Sequence, residues 1–476
     1  MRARIRELER KLAEVVGEEN VSSDPSDLVP FERDDQFFLV PPHRPDLVVR
    51  PGSTREVQGV LRLAHRHRIP VVPLASGINR KGLCIPSRGG ILLDLRRMNR
   101  ILEINEEMMT ATIEPGVSFG QLVNEVRKTG LRVITPWAPS TASVLANYML
   151  RGIYGPATRY GTDHLISIEV VLPDGRLLRT GSLNTPTSRP LPYCNLVNGP
   201  DLCKLFQANP GTMGVLTRGT IRLYPMPEVI KPFMASFPNY ESMVRPAIEL
   251  TVRDVVEACW TMTFTPSSLR TLTSGGRLEG FADMFGEEDF FSMWLYVAGE
   301  RERAERDEQR MRRIVEENGG TLLPLPPETE EEMIKDEIWE RTSVRGWKKG
   351  NLYGCSFYGI MKLAPEYYRV CREISFRYGF DEFHYEAVPV APFHGQLAYN
   401  DPCILWDAGD PEQVRKMRRL HREIMRALLK VGIYGWFRPF PGVVDSRRMG
   451  EYGRLWRALK DLVDPLHLMN PGKPPL

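Results

Sequence analysis

The sequence predicts an α+β protein built from more than one domain, on three observations. Its 476 residues exceed what one hydrophobic core covers. From Pro45 to Pro225, short apolar runs alternate with helical stretches that are apolar on one face. Beyond Pro225 the texture shifts to long, highly charged helices between strand-like runs, the pattern of a sheet covered on one side. The proline-rich stretch Pro225 to Pro238 reads as the boundary between the two.

Taken in order, MRARIRELERKLAEVVG sets Leu8, Leu12 and Val15 at helical spacing and stops at Gly17. PDLVVRPGS is a strand and a turn. Ser53 and Glu56 form a capping box, in which each side chain can satisfy an orphan N–H at a helix start. Val57, Val60, Leu61 and Ala64 then share one helical face. The apolar run Ile69 to Val72 delivers the backbone into PLASGINRKG, residues Pro73 to Gly82, and GGILLDL carries it away. Successive amides among small residues can form a concave anion site, so this loop is a candidate diphosphate cradle. Read alone, the same composition also describes a plain surface turn.

MTATIEPG is a strand stopped by Pro115-Gly116. Ser118 and Gln121 repeat the capping box, Leu122 and Val126 face inward, and Gly130 ends that helix. SVLANYMLRG is a short apolar helix. LISIEVVLPDGRLLRTG is a hairpin turning at Asp174-Gly175, and PGTMGVLTRGTIRLYP is a glycine turn and a strand.

In the second part, FFSMWLYVAG is a strand and ERERAERDEQRMRRIVEENGG a helix with a solvated, ion-paired face. PLPPETEEEM reads as a polar connector, NLYGCSFYGIMKL as a strand and PEYYRVCREISFRYG as a helix. HYEAVPVAP alternates, PCILWD is a short strand and PEQVRKMRRLHREIMRALLKVG a long helix. The closing helix is expected to turn Leu455, Leu459 and Leu462 inward before a proline-punctuated tail.

Composition excludes several classes. A formal net charge of +3 without clustering gives no footing for nucleic acid. Seven cysteines without a C-x-x-C pair argue against a zinc ribbon, a cysteine-ligated cluster or a disulfide scaffold; scattered thiols in a reducing compartment are expected, and no metal. The N-terminus lacks the apolar core of a signal peptide and no stretch approaches the ~20 apolar residues that span a bilayer, so the expectation is a cytoplasmic protein.

Six segments recur in a fixed order: PDLVVRPGSTREVQGVLRLAHRHRIPVVP, the glycine loop, RGGILLDLRRMNRILEINEEMMTATIEPGVSFGQL, IEVVLPDGRLLRTG, MGVLTRGTIRLYP and DPLHLMNPGK. Together they resemble the FAD-linked oxidoreductases of the vanillyl-alcohol oxidase/4-cresol dehydrogenase (PCMH-type) family. The resemblance is strong from Pro45 to Pro227, clear from Gly435 onward and loose between. It implies an FAD-binding domain of two α+β subdomains in residues 1–228, with its core at about 45–228. An inserted α+β cap, 229–434, would lie over the flavin, and 435–476 would return to the FAD domain.

On the same resemblance, Ala75, Ser76, Gly77, Ile78, Asn79 and Arg80 would wrap the FAD diphosphate through backbone amides. Ser140, Ser143 and Asn147 would border the flavin, joined by Tyr160 and Gly161. Met213, Gly214 and Val215 would approach the adenine half. Arg438, in YGWFRPF, would stabilise reduced flavin or grip a carboxylate. Tyr353 falls at the strand position that carries covalent flavin attachment, so FAD bonded through Tyr353 is one expectation and a buried core tyrosine the other. His384 and His394 could face the pocket, His384 as proton acceptor, or be satisfied structural histidines. The chain departs from the phenol oxidisers at Phe437, at Ala138 and at Arg80-Lys81, so its substrate need not be a para-alkylphenol.

The implied activity is FAD-dependent transfer of hydride to flavin N5 from an alcohol or benzylic C–H of a small substrate, aromatic ones included. Oxygen, a cytochrome or another carrier would take the electrons. Two alternatives stay open: a 2-hydroxy-acid (lactate/glycolate-type) dehydrogenase, with Arg438 and Arg80 or Lys81 on the carboxylate, and a non-catalytic flavin-holding subunit. A homo-oligomer is expected.

Overall fold

The computed structural model describes residues 2–34, 36–78, 82–136, 139–150, 158–160, 163–186, 191–192, 194–195, 199–273, 287–336, 350–389, 396–433, 435–436 and 449–473. Helix α1 (Arg2–Val16) stops at Gly17, whose φ is +91°. A four-stranded sheet follows, from β1 (Val21–Ser22), β2 (Leu47–Val49), β3 (Val71–Leu74) and β4 (Ile91–Asp94), in the order β1-β2-β4-β3. β2, β4 and β3 run parallel, because helix α2 (Thr54–His67) carries the chain back between β2 and β3. Ser53 Oγ accepts the Glu56 N–H at 3.2 Å, while the Glu56 carboxylate takes the Gly52 N–H at 2.8 Å. Val57, Val60, Leu61 and Ala64 are all buried, against Leu8 and Leu12 of α1 among others.

A second, antiparallel sheet comprises β5 (Ile101–Asn105), β6 (Thr110–Ile113), β8 (Leu165–Val171), β9 (Leu177–Arg179) and β10 (Val215–Arg222), in the order β5-β6-β10-β8-β9. Helices α3 (Phe119–Val126) and α4 (Val144–Met149) share its core. Ser118 caps α3 as expected, but Gln121 reaches out to the Asn99 carbonyl at 2.9 Å instead of back to the cap. Gly175, at φ +86°, turns the β8–β9 hairpin. β7 (Leu131–Arg132) pairs with β11 (Tyr224–Pro225).

The third sheet is the largest. Along it stand β15 (Thr321–Leu323), β12 (Val229–Phe237), β14 (Phe290–Gly299), β13 (Ala258–Phe264), β18 (Phe383–Pro389), β19 (Leu397–Asp407), β17 (Phe357–Ile360) and β20 (Gly435–Trp436); β16 (Gly350–Gly354) also pairs with β19. Helices α5 (Tyr240–Val252), α6 (Arg301–Glu317), α7 (Ala364–Arg377) and α8 (Pro411–Val431) cover one face and build the largest core with it.

Several expectations need correction. The stretch from Pro225 to Pro238 contains nine-residue β12, and Pro232 is tolerated there because β15 pairs only with Met234 to Ser236. The polar connector is a helix, Pro327–Asp336, with Glu328 and Glu330 in the first turn where the helix dipole favours them. Gly435-Trp436 pairs with β17 in the third sheet, so the return to the FAD side starts after it. The last helix, α9 (Gly450–Val463), leaves Leu455 63% and Leu462 75% exposed. It docks instead through Gly453, Trp456, Lys460 and Val463, because the buried Lys460 ammonium is held by the Thr212 carbonyl and the Asp464 carboxylate. None of the seven cysteines is in a disulfide. No described helix is long and apolar enough to cross a membrane.

Candidate cofactor and substrate site

Buried β3 feeds directly into Ala75, Ser76, Gly77 and Ile78. Gly77 has φ +72°, a left-handed conformation that favours glycine. No hydrogen bond within the described residues takes up the amides of Ser76, Gly77 or Ile78. The loop is anchored at its far end, where the Gly82 N–H donates to Asp34 Oδ2 at 2.7 Å. Gly82 has φ +68°, and a Cβ there would lie 2.5 Å from Val40 Cγ2. Successive amides left untaken among the described residues are what an anion site needs.

Ser143 caps α4: its hydroxyl donates to the Pro115 carbonyl at 2.7 Å and accepts the Ala146 N–H at 3.1 Å. The hydroxyl is thereby committed to the fold. Asn147, one turn on and half-buried, makes no side-chain hydrogen bond among the described residues. Ser140 packs on Gly120 and accepts the Gly120 N–H on its carbonyl at 2.8 Å. Gly214 has no room for a side chain, since a Cβ would fall 2.8 Å from the Val171 carbonyl. Val215 pairs with Val171, and its side chain is wholly buried in the core around the first sheet.

Tyr160 sits at the seam with the third sheet. Its ring packs on Tyr224 at 4.3 Å and its oxygen accepts from Arg132 Nη2 at 3.2 Å. Arg132 in turn grips Glu257 with two bonds of 2.7 and 2.9 Å, both residues almost fully buried. Burial pushes the Tyr224 phenol up to about 12. The Arg132–Glu257 pair was not legible as a site: its partners are 125 residues apart and nothing local marks either.

The third sheet has two unlike faces. Phe383, Tyr385 and Ala387 of β18 enter the helix-covered core, and His384, Glu386 and Val388 point the other way. That second face also carries Trp260, Met262, Phe264 and Tyr399, in a cluster joined by Leu269 of the short helix Pro266–Thr273 but by none of the four covering helices. His384 stacks on Phe264 at 5.6 Å and brings Nε2 to 3.5 Å from Glu386 Oε1. Glu386 lies opposite Asp401 in register. Asp401 accepts from Ser356 at 3.1 Å and Tyr399 at 3.3 Å.

Tyr353 belongs to the opposite face, which favours the second of its two expected readings, a buried core tyrosine. It is fully buried in the helix-covered core, its oxygen 2.6 Å from His421 Nδ1 on α8 and its ring against Phe38. A strand has two faces, and Tyr353 falls on the one filled by helices. Asn79, Arg80, Lys81, Ala138, Gly161, His394, Phe437 and Arg438 lie outside the described residues.

Residues 45–181 match a protein family described as an FAD binding domain. The chain is 34% identical over 222 residues to the glycolate oxidase subunit GlcD of Bacillus subtilis (strain 168), covering 45% of this chain and 43% of that one. It is also 34% identical over 243 residues to the 4-cresol dehydrogenase [hydroxylating] flavoprotein subunit of Pseudomonas putida, covering 49% and 46%. The chain therefore spans less than half the length of these relatives in each alignment. The fold of p-cresol methylhydroxylase with substrate bound superposes at a TM-score of 0.85 with 20% identity, over 99% of this chain and 97% of that one.

Residues 45–181 thus match an FAD binding domain, and the chain as a whole has the fold of the PCMH-type flavoproteins. Its residues fit the cofactor: the free amides of Ser76, Gly77 and Ile78 suit a diphosphate, and the uncommitted Asn147 amide is available at the border.

Proposed function

We propose that this PCMH-type protein is an FAD-dependent oxidoreductase acting on a small neutral alcohol or benzylic C–H substrate. FAD, when bound, supplies the hydride acceptor. The chain's own part is to hold the substrate beneath the aromatic face of the third sheet and to take a proton. His384 is the acceptor in this reading: Glu386, 3.5 Å from Nε2, favours the proton on that nitrogen, so the opposite ring nitrogen receives the hydroxyl proton and Glu386 steadies the imidazolium that results. Trp260, Met262, Phe264 and Tyr399 provide an apolar, water-poor wall, which favours an aromatic or alkyl body. The observation that carries the reading is the pairing of buried His384 with half-buried Glu386 on the face away from the four covering helices.

The 2-hydroxy-acid reading is favoured by the likeness to the glycolate oxidase subunit. Against it, Glu386 and Asp401 lie side by side on the same face, where a substrate carboxylate would be repelled.

The test is a set of anaerobic additions to the purified full chain, followed in the visible spectrum. A flavin band that bleaches with benzylic alcohols or alkylphenols, and not with glycolate or lactate, supports the proposal. Bleaching by the hydroxy acids alone moves the assignment to the second reading. Flavin that no substrate bleaches returns the chain to a holding role.

A further inference from the structure

We infer that the side-chain amide of Asn209 is a cofactor contact, donating to the ADP half of FAD; this rests on the FAD reading above. Asn209 opens the loop that leads through Gly214 into β10 and is 7% exposed. Its Oδ1 accepts the Thr212 N–H at 2.7 Å and the Thr212 hydroxyl at 2.6 Å. Those bonds settle which end of the amide is oxygen and leave the NH2 pointing elsewhere. Nδ2 is buried and meets no acceptor among the described residues. A buried NH2 without a partner is costly, and such a group persists where something else accepts from it.

The position of the loop identifies the acceptor. Gly211 has φ +71°, and a Cβ there would fall 2.3 Å from Pro73 Cγ, so the loop lies against the root of the glycine cradle. Asn470 pins the two together. Its Nδ2 donates to the Leu83 carbonyl at 2.9 Å and to the Pro210 carbonyl at 2.6 Å. These bonds fix its amide as well, and Asn470 Oδ1 is left buried with no donor among the described residues. One donor and one acceptor from two asparagines thus stand beside the diphosphate cradle. ADP is complementary to both: its phosphate oxygens and ring nitrogens accept, and its ribose hydroxyls and 6-amino group donate. A buried water is the competing partner, and it predicts no dependence of ADP affinity on Asn209.

The test uses the full chain produced in a riboflavin-starved host, so that it is flavin-free, with ADP itself as the calorimetric probe. Asn209→Asp keeps an oxygen for Thr212 and removes the NH2. Asn209→Ser keeps a hydroxyl that can serve the same turn, without adding charge. Both variants are expected to bind ADP about tenfold or more weakly, with the ligand-free melting temperature little changed. Wild-type ADP affinity, within about twofold, in either variant overturns the inference. So does a loss of affinity that only tracks a fall in ligand-free stability, which would make the amide structural. A wild-type chain that takes up neither FAD nor ADP overturns the FAD reading itself, whereas a wild type that binds both alongside unaffected variants overturns only the role of Asn209.

Discussion

Two buried histidines stand on opposite faces of the same sheet. His421 lies under the helices, 2.6 Å from the Tyr353 hydroxyl and surrounded by the largest core of the protein. His384 lies on the other face, with Glu386 at 3.5 Å and aromatic rings about it. Both are 5% exposed or less, so burial does not tell them apart. What differs is the company. A phenol partner inside a helix-packed core serves the fold, because the whole surround is committed to packing. A carboxylate partner on a face left by the helices can steady a charge that comes and goes. The proposed function therefore divides this sheet by strand parity, and each substitution below tests one side of that division.

The largest effect is expected at His384. His384→Gln keeps a polar group of similar reach and cannot accept the proton at neutral pH. Turnover should fall by roughly 100- to 10,000-fold, the ordinary contribution of a positioned acid–base group. Stability should change by no more than about 1–2 kcal/mol. Steady-state kinetics beside a melting curve measures both. Turnover within tenfold of wild type would remove His384 from the chemistry and break the division at its functional side.

On the covered face the expectation reverses. Trp406 is 1% exposed, edge-on to Phe38 at 5.2 Å, and part of the core that contains Tyr353. Trp406→Ala should cost about 3–5 kcal/mol in denaturant unfolding, as large-to-small core changes do. Turnover per folded, flavin-loaded molecule should stay near wild type. A variant that folds normally and loses activity would show that this face also reaches the site.

The same parity explains what the sequence made legible. In HYEAVPV the polar residues His384 and Glu386 alternate with Tyr385 and Ala387, so the two faces can be read from the strand itself. In NLYGCSFYG no such contrast exists, since both parities are apolar or small, and the run breaks into β16 and β17 at Cys355-Ser356. Tyr353 could be placed on a strand but not on a face. The FAD half was easier because its signals are local backbone devices: Ser53 at a cap, Gly175 in a hairpin, Gly77 in the left-handed turn after β3. Long-range pairing hid the rest. Lys460 overrode the leucine stripe of α9 through Thr212 and Asp464, and Arg132 found Glu257 across the seam.

The smallest effect discriminates most finely. Tyr353→Phe removes one hydroxyl from the His421 contact and leaves the ring in place, so it should cost about 1–2 kcal/mol of stability. Flavin content, its behaviour on acid precipitation and turnover should all match wild type, because the oxygen faces His421 on α8 and not the face that carries His384. The informative outcome is the colour of the pellet. If wild type precipitates yellow and Tyr353→Phe releases the flavin to the supernatant, Tyr353 is an attachment point and the two faces are not separate. If the two proteins behave alike, Tyr353 and His421 form a packing pair, and the chemistry of the sheet is confined to the face that carries His384.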